Sequence, residues 1–401
     1  MQIITFGCRL NIFESAAMEK LAGDVLSDVI LFNTCAVTAE AERQLRQAIR
    51  RAKRENPMSK IYVTGCAAQL HPEVYAKMPE VDRVLGNREK LSKSALLGTD
   101  KIMSVPFEKD EHIDVDVPIV SDFDGKTKAF LQIQQGCDNA CTFCVVSKIR
   151  GKNKGLEPDT IVAQAKEFVK NGYQELIITG VDLMAYPYGF CDVIKRLLHD
   201  VDGLKRLRFG SLDPARLDDD FIALMASDNR LMPYLHLSVQ SGDNLILKRM
   251  GRRHRRQDVI EFAQKIRAVR PDMVLGADFI TGFPTETETQ FQNTLDLVDE
   301  AGITHLHVFP YSERDGTPAA KMPQLPKEIR KDRARRLREH GHKKFSSLLD
   351  EQVGKILSVL VENQSEGTSS NYLKVHFENL VQVGNIIDVE IRGRNEHGLV
   401  G

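Results

Sequence analysis

The chemistry that this 401-residue chain can do is concentrated in its cysteines. Cys137, Cys141 and Cys144 stand at i, i+4 and i+7 within Gly136-Cys137-Asp138-Asn139-Ala140-Cys141-Thr142-Phe143-Cys144. Thiolates are soft ligands that suit iron–sulfur clusters and zinc. Three of them on one loop can hold a cubane and leave its fourth iron open, as a catalytic zinc keeps an open position. Structural zinc is the competing reading, but it usually brings a fourth Cys or His nearby, and none lies close in the sequence. A second set, Cys8, Cys35 and Cys66, follows Phe6-Gly7, Asn33-Thr34 and Gly65, each just past a short apolar run. If those runs are parallel strands, their ends share one sheet edge and the three thiols can meet. Three unrelated core thiols are the plainer alternative. Cys191 opens a helix-like segment and reads as a core cysteine.

The spacing of the central triplet resembles that of the radical S-adenosylmethionine superfamily. The resemblance implies that the open iron chelates the amino and carboxylate groups of S-adenosylmethionine, whose reductive cleavage yields a 5′-deoxyadenosyl radical. It also implies that Phe143 borders the adenine. Further cofactor contacts are expected where strands end: Ile178-Thr179-Gly180, Gly210-Ser211, Val239-Gln240-Ser241-Gly242 and Ile280-Thr281-Gly282-Phe283-Pro284. Parallel α/β sheets bind ligands at that edge. The candidates are Thr179, Gly180, Ser211, Gln240, Gly282 and Phe283 beside Phe143, the bland reading of the glycines being simple turns. No side chain beyond the cluster ligands is singled out as catalytic.

The elements that must position these groups are legible as alternating patterns. Segments 2–5, 29–33 and 60–64 read as buried strands, and 40–56, rich in Ala, Gln, Arg and Glu, as a helix. An N-terminal small α/β, Rossmann-like domain is therefore expected over 1–105. The acidic stretch with Glu108, Asp110, Glu111, Asp114 and Asp116 reads as a linker, bounded at 106–125. Strands are expected at 129–134, 175–179, 206–209, 234–239, 274–280 and 304–309. Helices are expected at 159–171, 190–200, 218–226, 256–268 and 287–301. Six βα units predict a partial (βα)6 barrel over 126–345, two units short of a closed one. Alternating runs at 356–362, 372–377 and 386–391 predict a small all-β barrel over 350–401.

Along essentially its whole length the sequence resembles the methylthiotransferase family of radical S-adenosylmethionine enzymes. Phe6-Gly7-Cys8, Asn33-Thr34-Cys35 and Gly65-Cys66 match that family's first domain. The 136–144 loop, Arg150-Gly151, Gly282-Phe283-Pro284 and Gly316-Thr317-Pro318-Ala319 match its radical domain. The terminal barrel corresponds, on pattern alone, to the family's TRAM domain. The resemblance implies two 4Fe–4S clusters, on Cys8, Cys35 and Cys66 and on Cys137, Cys141 and Cys144. It implies two uses of S-adenosylmethionine, one for the methyl group and one for the radical. An electron donor of flavodoxin or ferredoxin type and a sulfur donor follow as partners. Asn33-Thr34-Cys35-Ala36-Val37-Thr38 and the segment 306–318 resemble the branch that acts on C2 of N6-threonylcarbamoyladenosine at position 37 of tRNA. Isopentenyladenosine in tRNA and an aspartate on a ribosomal protein are the alternative substrates. Ser147 departs from the Pro that many members carry.

Composition frames the partner. Net charge is −1, so any tRNA must be met by local basic patches. Arg252, Arg253, Arg255 and Arg256 form a dense cationic loop that can track phosphates. Arg43, Arg46, Arg50 and Arg54 share a helix face, and 327–344 is rich in Arg and Lys, with Glu328, Asp332 and Glu339 available to pair. The first residues carry no charged lead and no long apolar run, so a cytoplasmic protein without a membrane segment is expected. In that reducing compartment seven cysteines point to metal and not to disulfides.

Overall fold

The computed structural model describes residues 1–36, 39–108 and 117–401. Asp110, Glu111, Asp114 and Asp116 of the expected linker, and Val37 and Thr38 of the branch motif, lie outside the described residues.

The first unit is a five-stranded parallel sheet, β1 (Gln2–Thr5), β2 (Val29–Thr34), β3 (Lys60–Gly65), β4 (Arg83–Leu85) and β5 (Ile102–Met103), in that spatial order. Both faces are covered, as a parallel sheet requires. Alternation in β2 and β3 sends Ile30, Phe32, Ile61 and Val63 to one face, against Leu45 and Ile49 of helix Ala39–Glu55. Val29, Leu31 and Tyr62 go to the other, against Met18 and Ala22 of helix Arg9–Ala22.

The second unit is the expected open barrel. β6 (Lys128–Gln132) leads into a short hairpin, β7 (Gln134–Gln135) with β8 (Lys154–Gly155), that closes the central cysteine loop. β9 (Glu175–Thr179) lies between β6 and β10 (Arg206–Phe209). The chain passes Gly210 into β11 (Ser211–Leu212), which pairs with β12 (Tyr234–Gln240), then β13 (Val274–Thr281) and β14 (Ile303–Pro310). All these neighbours are parallel except the hairpin, and helices such as Pro158–Lys170, Phe190–Asp200 and Arg256–Val269 pack outside. The core between strands and helices includes Leu131, Leu176, Ile178, Leu207, Leu275 and Phe279, all fully buried.

The long helix Lys327–Asp350 carries the chain to the third unit. There β15 (Ile356–Asn363), β16 (Glu366–Ser369), β17 (Lys374–His376), β18 (Ile386–Glu390), β19 (Gly393–Arg394) and β20 (Leu399–Val400) form one sheet in the order β18-β15-β16-β17-β20-β19. It is antiparallel apart from the β17–β20 pair and curls into a half-barrel. Its core is not independent. Tyr234 and Val274 from the barrel, with Leu348 and Leu349, pack against Leu357, Val359, Leu373 and Val375.

Candidate functional site

The first three strands deliver their cysteines to one edge, as their register demands. Thr5 stands opposite Asn33, and Thr34 opposite Gly65, so the residues that follow are neighbours. Gly7 has φ +106°, and a Cβ there would come within 2.8 Å of the Cys35 Cβ. Gly65 has φ +91° and lies against the Thr34 backbone, so a side chain at either position would prise the edge open. Cys8 is the N-cap of helix Arg9–Ala22, and Cys66 is the first residue of helix Cys66–Leu70. The Thr34 hydroxyl accepts from the N–H groups of Ala67 (3.1 Å) and Ala68 (3.3 Å) and so fixes the start of that second helix. Asn11 donates to the carbonyls of Phe6 (2.7 Å) and Thr34 (3.0 Å) and ties the first two loops together.

The central triplet hangs from the hairpin. The Cys137 N–H donates to the Gly151 carbonyl at 3.1 Å, and the Cys144 N–H to that of Cys141 at 3.1 Å. Two sulfurs receive backbone donors: Asn139 N–H to Cys137 Sγ and Val146 N–H to Cys144 Sγ, both 3.4 Å. Burial pushes the Cys137 thiol up to about 12 and the Cys144 thiol up to about 11, with the neighbouring thiols of the triplet adding to the rise. Such thiols stay protonated at neutral pH unless a metal replaces the proton. A soft, three-thiol donor set of that kind fits an iron–sulfur cluster.

The two cysteine-bearing segments meet at the domain boundary: the Asn87 amide lies 4.0 Å from Cys66 Sγ and donates to the Ile149 carbonyl at 2.7 Å, and Val145 and Ile149 share a core with Ala67 and Ala68. Beside the first triplet lies a buried ionic cluster. Arg150 donates to Glu14 (2.7 and 3.0 Å) and to Asn11 Oδ1 (2.7 Å), while Lys90 donates to Glu14 (2.6 Å) and Asn87 Oδ1 (2.8 Å). Burial pushes the Glu14 carboxyl up, but Arg150 and then Lys90 outweigh it and hold it at about 2. Lys90 is pushed below its ordinary range, by burial first and with Arg150 repelling it. Arg150 is therefore the cation that holds Glu14. Two cations against one carboxylate leave an excess of one positive charge, and Cys66 and Cys8 both act on Arg150 electrostatically. A buried excess cation needs an anion. Thiolates of the first triplet would supply it, so the N-terminal donor set also fits an iron–sulfur cluster.

The barrel interior is polar. His236 Nε2 and His307 Nδ1 lie 3.1 and 3.3 Å from Asp278 Oδ1, and His236 Nδ1 lies 2.9 Å from the Tyr234 hydroxyl. Burial raises the Asp278 carboxyl, but the two histidines more than reverse this and hold it well below the usual range. Ser211 joins Ser238 at 2.7 Å and donates to Asp278 at 3.3 Å. Polar atoms without a protein partner also gather near the cysteine loop: both amide atoms of Gln132 and of Gln135, Asp182 Oδ1 and Arg252 Nε. Buried polar groups left open in this way are what a polar ligand such as S-adenosylmethionine would satisfy.

The expected cofactor contacts divide. Thr179 ends β9, buried, with its carbonyl accepting from Ile133 (3.0 Å). Gly180 lies against Gln134, whose Oε1 accepts from Val181 and Asp182, both at 2.9 Å. Gln240 ends β12 with φ +72°, a left-handed conformation unusual outside glycine. Ser211 is exposed toward Asp278. Gly282 and Phe283 do not face the interior. Gly282 is closed off by Arg330, and Phe283 is fully buried against Tyr311 in a packing cluster on which Phe143 also rests.

The cationic loop also needs correction. Arg252 is half-buried with its side chain largely covered, donates to Asp213 (2.8 Å) and the Ser238 carbonyl (2.8 Å), and lies 3.7 Å from Cys141 Sγ. It belongs to the cysteine site. Arg256 is turned inward to the Asn293 carbonyl (2.7 Å) and Glu300 (2.5 Å). Arg253 and Arg255 remain at the surface, Arg253 with Asp213 at 3.5 Å. The Arg-rich helix is salt-bridged, as its acids suggested: Arg333 to Glu286, Arg335 to Asp332 and Glu339, Arg336 to Glu288. The sequence reading missed Glu14, Lys90, Arg208, Glu175 and the His236–Asp278–His307 group. Polar residues at every second position of otherwise buried strands were the available signal for the last.

Residues 131–298 match the Radical SAM superfamily, and residues 1–86 match the uncharacterized protein family UPF0004. The chain is 48% identical, over 98% of its length and 95% of the relative's, to the threonylcarbamoyladenosine tRNA methylthiotransferase MtaB of Rickettsia prowazekii (strain Madrid E). It is 35% identical, over 100% of its length and 98% of the relative's, to the tRNA-2-methylthio-N(6)-dimethylallyladenosine synthase of Ruegeria sp. (strain TM1040). Among solved structures, the radical S-adenosylmethionine methyltransferase TsrM from Kitasatospora setae shares the fold, with TM-score 0.55 and 14% identity over 78% of this chain and 67% of that one. One cysteine triplet on the edge of the first sheet, a second on the barrel's hairpin loop, a six-strand open barrel and full-length identity of this order place the chain in the methylthiotransferase family of radical S-adenosylmethionine enzymes.

Proposed function

We propose that this chain methylthiolates C2 of N6-threonylcarbamoyladenosine at position 37 of tRNA. The observation that carries the reading is that Asn87 bridges the two cysteine-bearing segments, its amide 4.0 Å from Cys66 Sγ and donating at 2.7 Å to the carbonyl of Ile149, five residues past Cys144. A base held between them meets a radical source on one side and a sulfur source on the other, as near-attack geometry requires. Cys137, Cys141 and Cys144 hold the cluster that binds S-adenosylmethionine, and Cys8, Cys35 and Cys66 hold a second one. When bound, the first would supply, from S-adenosylmethionine, the radical that takes the C2 hydrogen as 5′-deoxyadenosine, and the second would supply sulfur methylated by another S-adenosylmethionine, a route to a C–H bond that offers no acidic proton to a side-chain base.

The chain's own residues prepare that site. Arg150, Lys90 and Asn87 give the first triplet a positive, water-excluding back wall. Arg252 does the same for the central loop. Arg253, Arg255 and the terminal half-barrel are the surface offered to tRNA phosphates. An anticodon-loop base is reached by unstacking it, which costs little in a single strand. No helix of the described residues is long and apolar enough to cross a membrane, in keeping with a cytoplasmic tRNA enzyme. An electron donor of flavodoxin or ferredoxin type and a sulfur donor complete the set of partners.

The test is mass spectrometry of tRNA nucleosides from cells lacking the protein. The 2-methylthio form of threonylcarbamoyladenosine should disappear and its unthiolated precursor accumulate. Loss of methylthio-isopentenyladenosine instead would move the assignment to the substrate of the Ruegeria relative.

A further inference from the structure

Four cations meet where the barrel joins the half-barrel, Lys128, Arg206, Arg208 and Arg9, and each of the first three has a carboxylate within ion-pairing distance. Arg208 donates to Glu175 (2.7 Å) and to the carbonyls of Ser369 and Ser370. Arg206 shares Glu175 and bonds to Ser358, while Lys128 is paired with Glu362. Arg9 differs. It follows Cys8 directly, and its guanidinium reaches the Tyr372 hydroxyl (2.9 Å) and the Phe209 carbonyl (3.4 Å). Among the described residues it has no carboxylate partner within ion-pairing distance.

Its position is built by all three units. Arg9 comes from the N-terminal sheet domain, Phe209 ends β10, and Tyr372 belongs to the half-barrel. Tyr372 has φ +71° and stacks on Tyr234 at 4.3 Å, and Tyr234 in turn bonds to His236. Backbone strain at a non-glycine residue is kept where the surroundings over-determine it. Here it aims a phenol at the Arg9 guanidinium, one residue past Cys8.

Resting on the substrate proposed above, the chemistry of that substrate supplies a match. Its N6 substituent ends in the threonyl carboxylate, several bonds from the reacting C2, whereas an isopentenyl group carries no charge. We infer that Arg9, held by Tyr372, is the group that reads the threonyl carboxylate and so selects the carboxylate-bearing base. A guanidinium matches a carboxylate with paired donors, and a site built for such a partner rejects a ligand that lacks it.

The experiment compares wild type, Arg9→Gln and Arg9→Lys, with iron content checked for each. Two tRNA substrates are used: one with threonylcarbamoyladenosine, one with its carboxylate converted to the neutral amide. Losing one charge-assisted contact should lower kcat/KM of Arg9→Gln on the carboxylate substrate about tenfold to a hundredfold, chiefly through KM. Arg9→Lys should recover part of it. On the amide substrate wild type and Arg9→Gln should be equal. Equal losses on both substrates would reduce Arg9 to an interface strut, and no loss on either would remove it from recognition. Both outcomes overturn the inference while product formation by wild type upholds the substrate. Wild type inactive on the carboxylate substrate but active on isopentenyladenosine tRNA would overturn the substrate reading itself, and the inference with it.

Discussion

Replacing Glu14 by Gln should unsettle the boundary between the two cysteine triplets. The side chain keeps its shape and loses its charge, leaving Arg150 and Lys90 as buried neighbours without a counter-ion. The Glu14 carboxyl lies at about 2 in the folded chain against an ordinary 4.5. At about 1.4 kcal/mol per pH unit, that gap is worth about 3 kcal/mol. Breaking a buried pair by removing one partner costs about 3–5 kcal/mol, so two independent routes agree. The sign follows from the direction of the shift. A carboxyl lowered on folding stabilises the chain fully above 4.5, and that contribution is lost as pH falls from 4.5 toward 2. The assay is anaerobic urea unfolding of the cluster-free full chain, followed by circular dichroism because the sequence has no Trp. Glu14→Gln should lose about 3 kcal/mol near neutral pH and lack the steep decline of wild type below 4.5. Exposed Glu19→Gln serves as control. A Glu14→Gln variant as stable as the control, with an unaltered acid slope, would refute the reasoning.

Two further outcomes follow from the site. Reconstituted protein should hold about eight irons, and changing Cys137, Cys141 and Cys144 together to Ala should leave about half; the matching change of Cys8, Cys35 and Cys66 should abolish product while sparing release of 5′-deoxyadenosine. Arg255→Gln should weaken tRNA binding and flatten its salt dependence, whereas Arg252→Gln should spare both and impair the central cluster, read by tRNA binding over a salt series and by iron content.

Deleting 350–401 is not a clean test of RNA binding. It would strip cover from Tyr234 and Val274 and remove the carbonyl partners of Arg208. A loss of tRNA binding in that variant would report on the barrel as much as on the missing sheet.

The chain of residues alone determined the strands, the helices and the donor types. The periods of 2 and 3.6 are local, and runs such as 175–179, 190–200 and 206–209 coincide with Glu175–Thr179, Phe190–Asp200 and Arg206–Phe209. Short ligand spacing is local too, so the 137–144 loop was legible without a fold. Expecting Cys8, Cys35 and Cys66 to meet needed one topological rule, because consecutive parallel strands put their ends on one edge. Tertiary structure decided what each charge faces. Nothing in Gly251-Arg252-Arg253-His254-Arg255-Arg256 separates the arginine beside Cys141 from the one in solvent, since that depends on Asp213 and Ser238 arriving from other strands. Glu14, Lys90 and Arg150 are 136 residues apart at their extremes and meet only because two domains pack. Arg9 reads in the sequence as an ordinary charge after a cysteine. It becomes an unpaired cation in a barrel only when a tyrosine 363 positions away folds back to hold it.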